Sequence, residues 1–170
     1  MEKLSDYYEK WKNINNSTTH INLFDQKDQT KEICLAAVKQ NGWALEHVKN
    51  QTKEMCLAAV KQNSWALKYV RNQTEEICLA AVKQSGVALQ YVKDQTKEIC
   101  LVAVKQNSWA LEYVRNQTEK ICLAAVKQDG WVLQYVKNQT KEVCLAAIKQ
   151  DCRTLEHVEE KMFCCNVTVP

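Results

Sequence analysis

The chain has 170 residues, 46% of them hydrophobic and 25% charged, with a formal net charge of +3. That composition suits a folded domain and lacks the single-sign field of a strongly basic nucleic-acid binder. The charge is also uneven: +3 over residues 51–72, −1 over 73–94 and −2 over 139–160.

The opening Met1-Glu2-Lys3-Leu4-Ser5-Asp6 contains no apolar run of the signal-peptide kind, and no stretch reaches the length of a membrane span. An intracellular, cytoplasmic protein with no membrane association is the expectation. Nine cysteines, an odd count without a secretory signal, fit a reducing compartment. Within residues 1–28, Leu4, Tyr7, Tyr8, Trp11 and Ile14 recur at three- and four-residue spacing, as one helix stripe does. This predicts an N-terminal capping helix, then a polar loop over 13–20 and a degenerate repeat fragment over 21–24.

From Gln29 onward a 22-residue block recurs head to tail, in six copies: 29–50, 51–72, 73–94, 95–116, 117–138 and 139–160. A unit this short has no core of its own and must bury its apolar face against the next. Thr30, Thr52, Thr74, Thr96, Thr118 and Thr140 are predicted N-caps of a first helix, each followed by a run like Ile33-Cys34-Leu35-Ala36-Ala37-Val38-Lys39-Gln40. At about 100° per residue, Ile33, Cys34, Leu35, Ala37 and Val38 form its apolar arc. Asn41, Asn63, Ser85, Asn107, Asp129 and Asp151 are predicted caps of a second helix, which runs through Trp43 to Val48 and stops near Asn50.

A leucine-rich repeat of similar length is excluded, because Gln40, Gln62 and Gln84 stand where that pattern needs an apolar residue. Glycine and serine alternate after the second cap (Gly42, Ser64, Gly86, Ser108, Gly130), in step with Lys49, Arg71, Lys93, Arg115 and Lys137. A 44-residue block of two repeats is therefore the expected unit of duplication. The last copy is more polar, with Arg153 and Glu159, as an array end requires. The predicted architecture is all-α: an α-solenoid of six helical hairpins over 29–160, capped by 1–28 and followed by a tail, 161–170.

The run Leu-Ala-Ala-Val-Lys-Gln-Asn/Asp-Gly-Trp-Ala/Val-Leu, seen from Leu35 and from Leu123, resembles a short tandem helical-repeat family of unknown function. That family is abundant in giant DNA viruses of amoebae and occurs in some protists and bacteria. The resemblance covers about residues 29–160 and implies a viral repeat protein in the host cell, without catalytic residues to carry over.

Several residue ladders invite a functional reading. Cys34, Cys56, Cys78, Cys100, Cys122 and Cys144 fall in the middle of the first helix's apolar arc, where cysteine acts as a small hydrophobe. Their spacing suits neither disulfides nor zinc. Cys152, Cys164 and Cys165 are less constrained, and reactive thiols in a tail are the expectation. The Asn-X-Thr sequons, such as Asn50-Gln51-Thr52, are read as a helix end meeting a helix cap.

Trp43, Trp65, Tyr69, Tyr91, Trp109, Tyr113, Trp131 and Tyr135 form an aromatic ladder suited either to packing between successive second helices or to gripping a partner protein. Trp43/His47 and its equivalents are expected one helical turn apart, and the third copy, Val87/Tyr91, lacks the tryptophan. Lys39, Lys61, Lys83, Lys105, Lys127 and Lys149 form a basic ladder able to track a polyanion. Glu32, Glu54, Glu76, Glu98 and Glu142, on the same face, are expected to offset it. No nucleophile, carboxylate pair or phosphate loop accompanies His20, His47 and His157, so no enzyme, cofactor or metal is expected. The reading is a non-catalytic scaffold or adaptor that mediates protein–protein interaction. Nucleic-acid binding through the lysines is the alternative, and self-association into a larger structural assembly a third.

Overall fold

The structure, a computed structural model, describes residues 29–160. The expected capping helix of 1–28 and the tail of 161–170 lie outside the described residues. Six α-helices alternate with six 3₁₀ helices. The α-helices are α1 (Lys31–Gln40), α2 (Lys53–Gln62), α3 (Glu75–Gln84), α4 (Lys97–Gln106), α5 (Glu119–Val126) and α6 (Lys141–Gln150). The 3₁₀ helices are η1 (Gly42–His47), η2 (Ser64–Tyr69), η3 (Gly86–Tyr91), η4 (Ser108–Tyr113), η5 (Gly130–Tyr135) and η6 (Cys152–His157). Each α-helix packs on the next α-helix, each 3₁₀ helix on the next 3₁₀ helix, and each internal α-helix also on the 3₁₀ helices of its own and the preceding repeat. The array thus has an α layer and a 3₁₀ layer with the core between them.

The first helix starts as its sequence dictates. The hydroxyls of Thr30, Thr52, Thr74, Thr96 and Thr140 accept from the backbone N–H three residues on, whereas Thr118 caps through its backbone alone. A single extended residue then separates the helices of a hairpin. Asn41, Asn63, Asn107, Asp129 and Asp151 accept from the N–H two residues on, and Ser85, one atom shorter in reach, makes no such bond.

The second helix differs from the expectation in kind and length. It is a six-residue 3₁₀ helix ending at His47 or its equivalents, because Val48 and its counterparts turn extended and close the last turn onto the Leu45-type carbonyl. A segment held between two extended residues is too short to repay α-helix nucleation, and the tighter i→i+3 turn fits.

The core repeats with the sequence. Leu45, Leu67, Leu89, Leu111 and Leu133 are wholly buried, as are Val60, Val82, Val104 and Val126. Each such leucine contributes about 1.5–3 kcal/mol relative to exposure. Ala36 is exposed in the first repeat as expected, but Ala58, Ala80 and Ala124 are half-buried against the core, so the apolar arc is wider inside the array. Cys34, Cys56, Cys78, Cys100, Cys122 and Cys144 are buried and free. Burial pushes these thiols up, and at Cys78, with help from Asp94 and Glu75, to about 11.

The residue that ties one repeat to the next is the glutamine opening each copy. Gln51 Nε2 donates to the Leu45 carbonyl of the preceding repeat (3.1 Å) and to the Tyr69 carbonyl of its own (2.9 Å). Its Oε1 accepts from Arg71 N–H (3.0 Å) and from the Cys56 thiol (3.8 Å). Gln73, Gln95 and Gln117 repeat all four contacts. One amide so satisfies two carbonyls and one N–H at the ends of the 3₁₀ helices, groups that short helices leave without partners. Neither a capping role nor the amphipathic pattern singles this residue out, although it recurs at the head of every copy.

A second device alternates. A Cβ on Gly42 would lie 2.6 Å from the Ala59 carbonyl of α2, and one on Gly130 2.7 Å from that of Ala147. These glycines let the next α-helix approach closely, and their N–H groups donate to Gln62 (2.7 Å) and Gln150 (3.0 Å). Gly86 makes the same bond to Gln106. Ser64 and Ser108 occupy the equivalent position in the intervening repeats and are buried there.

Two outcomes follow. Gln95→Leu should destabilise the array by about 1–3 kcal/mol for each partner left unsatisfied, while Gln128→Leu, on the surface, should be near neutral; denaturant unfolding compares the two. In native protein the six ladder thiols should resist alkylation while Cys152 reacts. Because the folded thiols keep their protons to higher pH than unfolded ones, stability is held below about pH 8 and falls as the pH rises past an unfolded thiol's value of ~8.5. pH-dependent melting checks the sign.

Candidate functional site

The 3₁₀ layer carries the tryptophans, and they do not pair within their own helix. With three residues per 3₁₀ turn, positions 43 and 47 diverge, and Trp43 instead meets Tyr69 of the next repeat in an edge-on contact of 5.7 Å between ring centroids. Trp65 meets Tyr91 at 5.5 Å, Trp109 meets Tyr135 at 5.7 Å and Trp131 meets His157 at 5.4 Å. Such edge-on pairs contribute about 0.5–1.5 kcal/mol beyond the area they bury. The indole N–H of Trp109 donates to Asp129 (3.0 Å) and that of Trp131 to Asp151 (3.1 Å).

The packing leaves part of each indole outward. Trp43, Trp65 and Trp109 remain 41%, 38% and 41% exposed. Trp131 is half-buried, as are Tyr69, Tyr91, Tyr113 and Tyr135, whose rings rest on the core. The aromatic ladder therefore packs between successive 3₁₀ helices: its tyrosines form the floor, and three of its tryptophans stand as the outer edge. At the array's end Arg153 forms a two-pronged pair with Asp151, holding that carboxyl well below the usual range, and lies 5.5 Å from the Trp131 ring.

The charged ladders divide. The lysines of the α-helix ends, Lys39, Lys61, Lys83, Lys105, Lys127 and Lys149, are all exposed. Two of the glutamates expected to offset them have other partners: Glu54 pairs with Lys31 (3.1 Å) and Glu76 with Lys53, across repeat boundaries in the first turns. Geometry explains the difference, since the first and last turns of a ten-residue helix lie at opposite edges of the layer. The second basic ladder is largely taken up by structure. Arg71 donates to the Lys49 carbonyl, Lys93 to that of Arg71 (3.0 Å), Arg115 to that of Lys93 (2.6 Å) and Lys137 to that of Arg115 (3.1 Å). Each cation sits on the carbonyl end of the preceding 3₁₀ segment, where negative partial charge gathers. Among the described residues no three His, Cys, Asp or Glu side chains are placed to hold a metal ion. No helix there is long and apolar enough to cross a membrane.

No curated protein and no solved structure matches the chain. A family model, described as a domain of unknown function (DUF4116), matches it three times in tandem, over residues 30–73, 74–117 and 118–163. Each match spans two hairpins and encloses one glycine junction, Gly42 with Gln62, Gly86 with Gln106 or Gly130 with Gln150, while Ser64 and Ser108 face the start of the next match. With most of its length accounted for in this way, the chain is a tandem-repeat member of the DUF4116 family.

Proposed function

We propose that the array is a non-catalytic scaffold or adaptor that binds another protein along the 3₁₀ layer, with Trp43, Trp65 and Trp109 as anchors. The observation that carries this reading is the exposure of those three indoles. Every other large apolar side chain of the described internal repeats is buried or half-buried, so the exposed aromatics stand out on one layer. Tryptophan is enriched among residues that dominate binding energy, and a rigid surface of regularly spaced anchors needs little reorganisation on binding. The tandem-repeat architecture and the resemblance to repeat proteins of amoebal viruses agree with an interaction role in a cell interior.

A second reading rests on its own observation. The α-helix-end lysines have no acidic partner among the described residues and line one edge of the α layer, an arrangement that supports polyanion binding. A third use, self-association, has support at the last repeat, where Leu145 and Leu155 are 46% and 49% exposed although Leu133, the counterpart of Leu155, is fully buried.

Capture of the tagged full chain from its native cell lysate, with and without nuclease, separates the first two. The expected result is a defined protein that survives nuclease, is lost from a Trp43→Gln/Trp65→Gln variant and is retained by Lys61→Glu/Lys83→Glu/Lys105→Glu. Retention by the tryptophan variant would overturn the indoles as anchors, while loss on nuclease treatment together with loss in the lysine variant would replace the scaffold reading with the polyanion one.

A further inference from the structure

The aromatic edge has one interruption. Val87 stands in η3 where η1, η2, η4 and η5 carry tryptophan, yet the tyrosine that would receive the ring, Tyr113, is retained. No ring lies against Tyr113 among the described residues.

The backbone has not closed over the missing ring. Ser85 and Val92, which bracket η3, have φ, ψ of −148°, 115° and −72°, 120°; Asp129 and Val136, which bracket the tryptophan-bearing η5, have −147°, 112° and −77°, 114°. Both helices are also tied the same way, Gln90 Nε2 donating to the Val87 carbonyl (3.1 Å) and Gln134 Nε2 to that of Trp131 (3.2 Å). The junction below is of the glycine type, Gly86, and the like junction at Gly42 accommodates Trp43 over Tyr69. The scaffold for an indole is thus present and the indole is absent.

We infer that the notch between Val87 and Tyr113 is a specificity pocket for an aromatic side chain, of tryptophan type, supplied by the bound protein. This rests on the protein-binding reading and adds to it the chemistry of one anchor. What identifies the occupant is the chain itself, which shows at Trp43, Trp65, Trp109 and Trp131 what fills the position: an indole edge-on to the ring floor, with its outer rim in solvent at three of the four. A partner's indole entering from solvent completes the row, and Trp65 and Trp109 flank it.

Free indole is the probe. Full-length wild type should bind it saturably at one site, with a dissociation constant of about a millimolar, as suits so small a ligand. Val87→Trp should weaken that binding at least about tenfold and raise the melting midpoint, because the chain's own ring then occupies the notch. Tyr113→Leu, which keeps an apolar floor without a ring, should weaken it about two- to tenfold and guards against a folding defect in the first variant. Equal indole binding by wild type and Val87→Trp, or none by wild type, overturns the assignment. Binding that emerges only in Trp11→Ala also overturns it, since the chain's own tryptophan would then be the occupant. Loss of the notch in these tests, with partner capture through Trp43 and Trp65 intact, sinks the pocket and leaves the scaffold reading standing.

Discussion

A 3₁₀ helix of six residues is a poor structural element by itself: its hydrogen bonds are strained, and it presents free carbonyls at one end and free N–H groups at the other. This fold is built from such helices, and the glutamine amide at the head of each repeat is what makes them tenable. The amide reaches back to the previous 3₁₀ helix and forward to its own, so no internal repeat is complete without both neighbours. Cooperativity between repeats is consequently carried by hydrogen bonds as well as by apolar burial, where simpler helical arrays depend mostly on the latter. The same amide takes the S–H of the buried cysteine, which gives that thiol a polar partner inside an otherwise apolar layer.

The array's end shows the constraint by its absence. Position 161, where a seventh glutamine would stand, is Lys161, and 162, the cap position, is Met162. No glutamine stands at 161 to give Leu155 the bond that the carbonyls of Leu45, Leu67, Leu89 and Leu111 receive, and the Leu155 side chain is half exposed. In the same repeat Arg153 replaces an indole and binds its own capping aspartate, turning an apolar edge into a charged one.

Much of this was legible in the sequence. Threonine followed by a charged pair and an alanine-rich run specifies an α-helix start locally, and all six α-helices begin where those residues stand. The apolar arc and its cysteines were equally legible, since burial on a helix follows from angular position alone. What escaped was whatever depends on the stacking of one repeat on another. Six residues between two caps do not span enough turns to distinguish periods of 3.0 and 3.6, so the 3₁₀ geometry of the second helix was hidden, and with it the true partner of each tryptophan. The glutamine was missed because neither capping nor amphipathicity assigns it a role, although its recurrence at the head of all copies was a signal. Likewise Glu54 and Glu76, which a helical wheel sets against the lysine ladder, find cations on a neighbouring helix instead.

The alternation of glycine and serine gives the array a grain. Glycine junctions, with close backbone approach and a glutamine tie, lie inside each 44-residue unit, and serine junctions lie between units. Recombination that adds or removes a whole unit joins one serine junction to another and preserves every packing distance. An event that inserts or deletes a single 22-residue copy breaks the alternation, placing two glycine or two serine junctions in succession. Gene lineages carrying this array should accordingly change length in steps of two hairpins, a quantum imposed by a single missing Cβ.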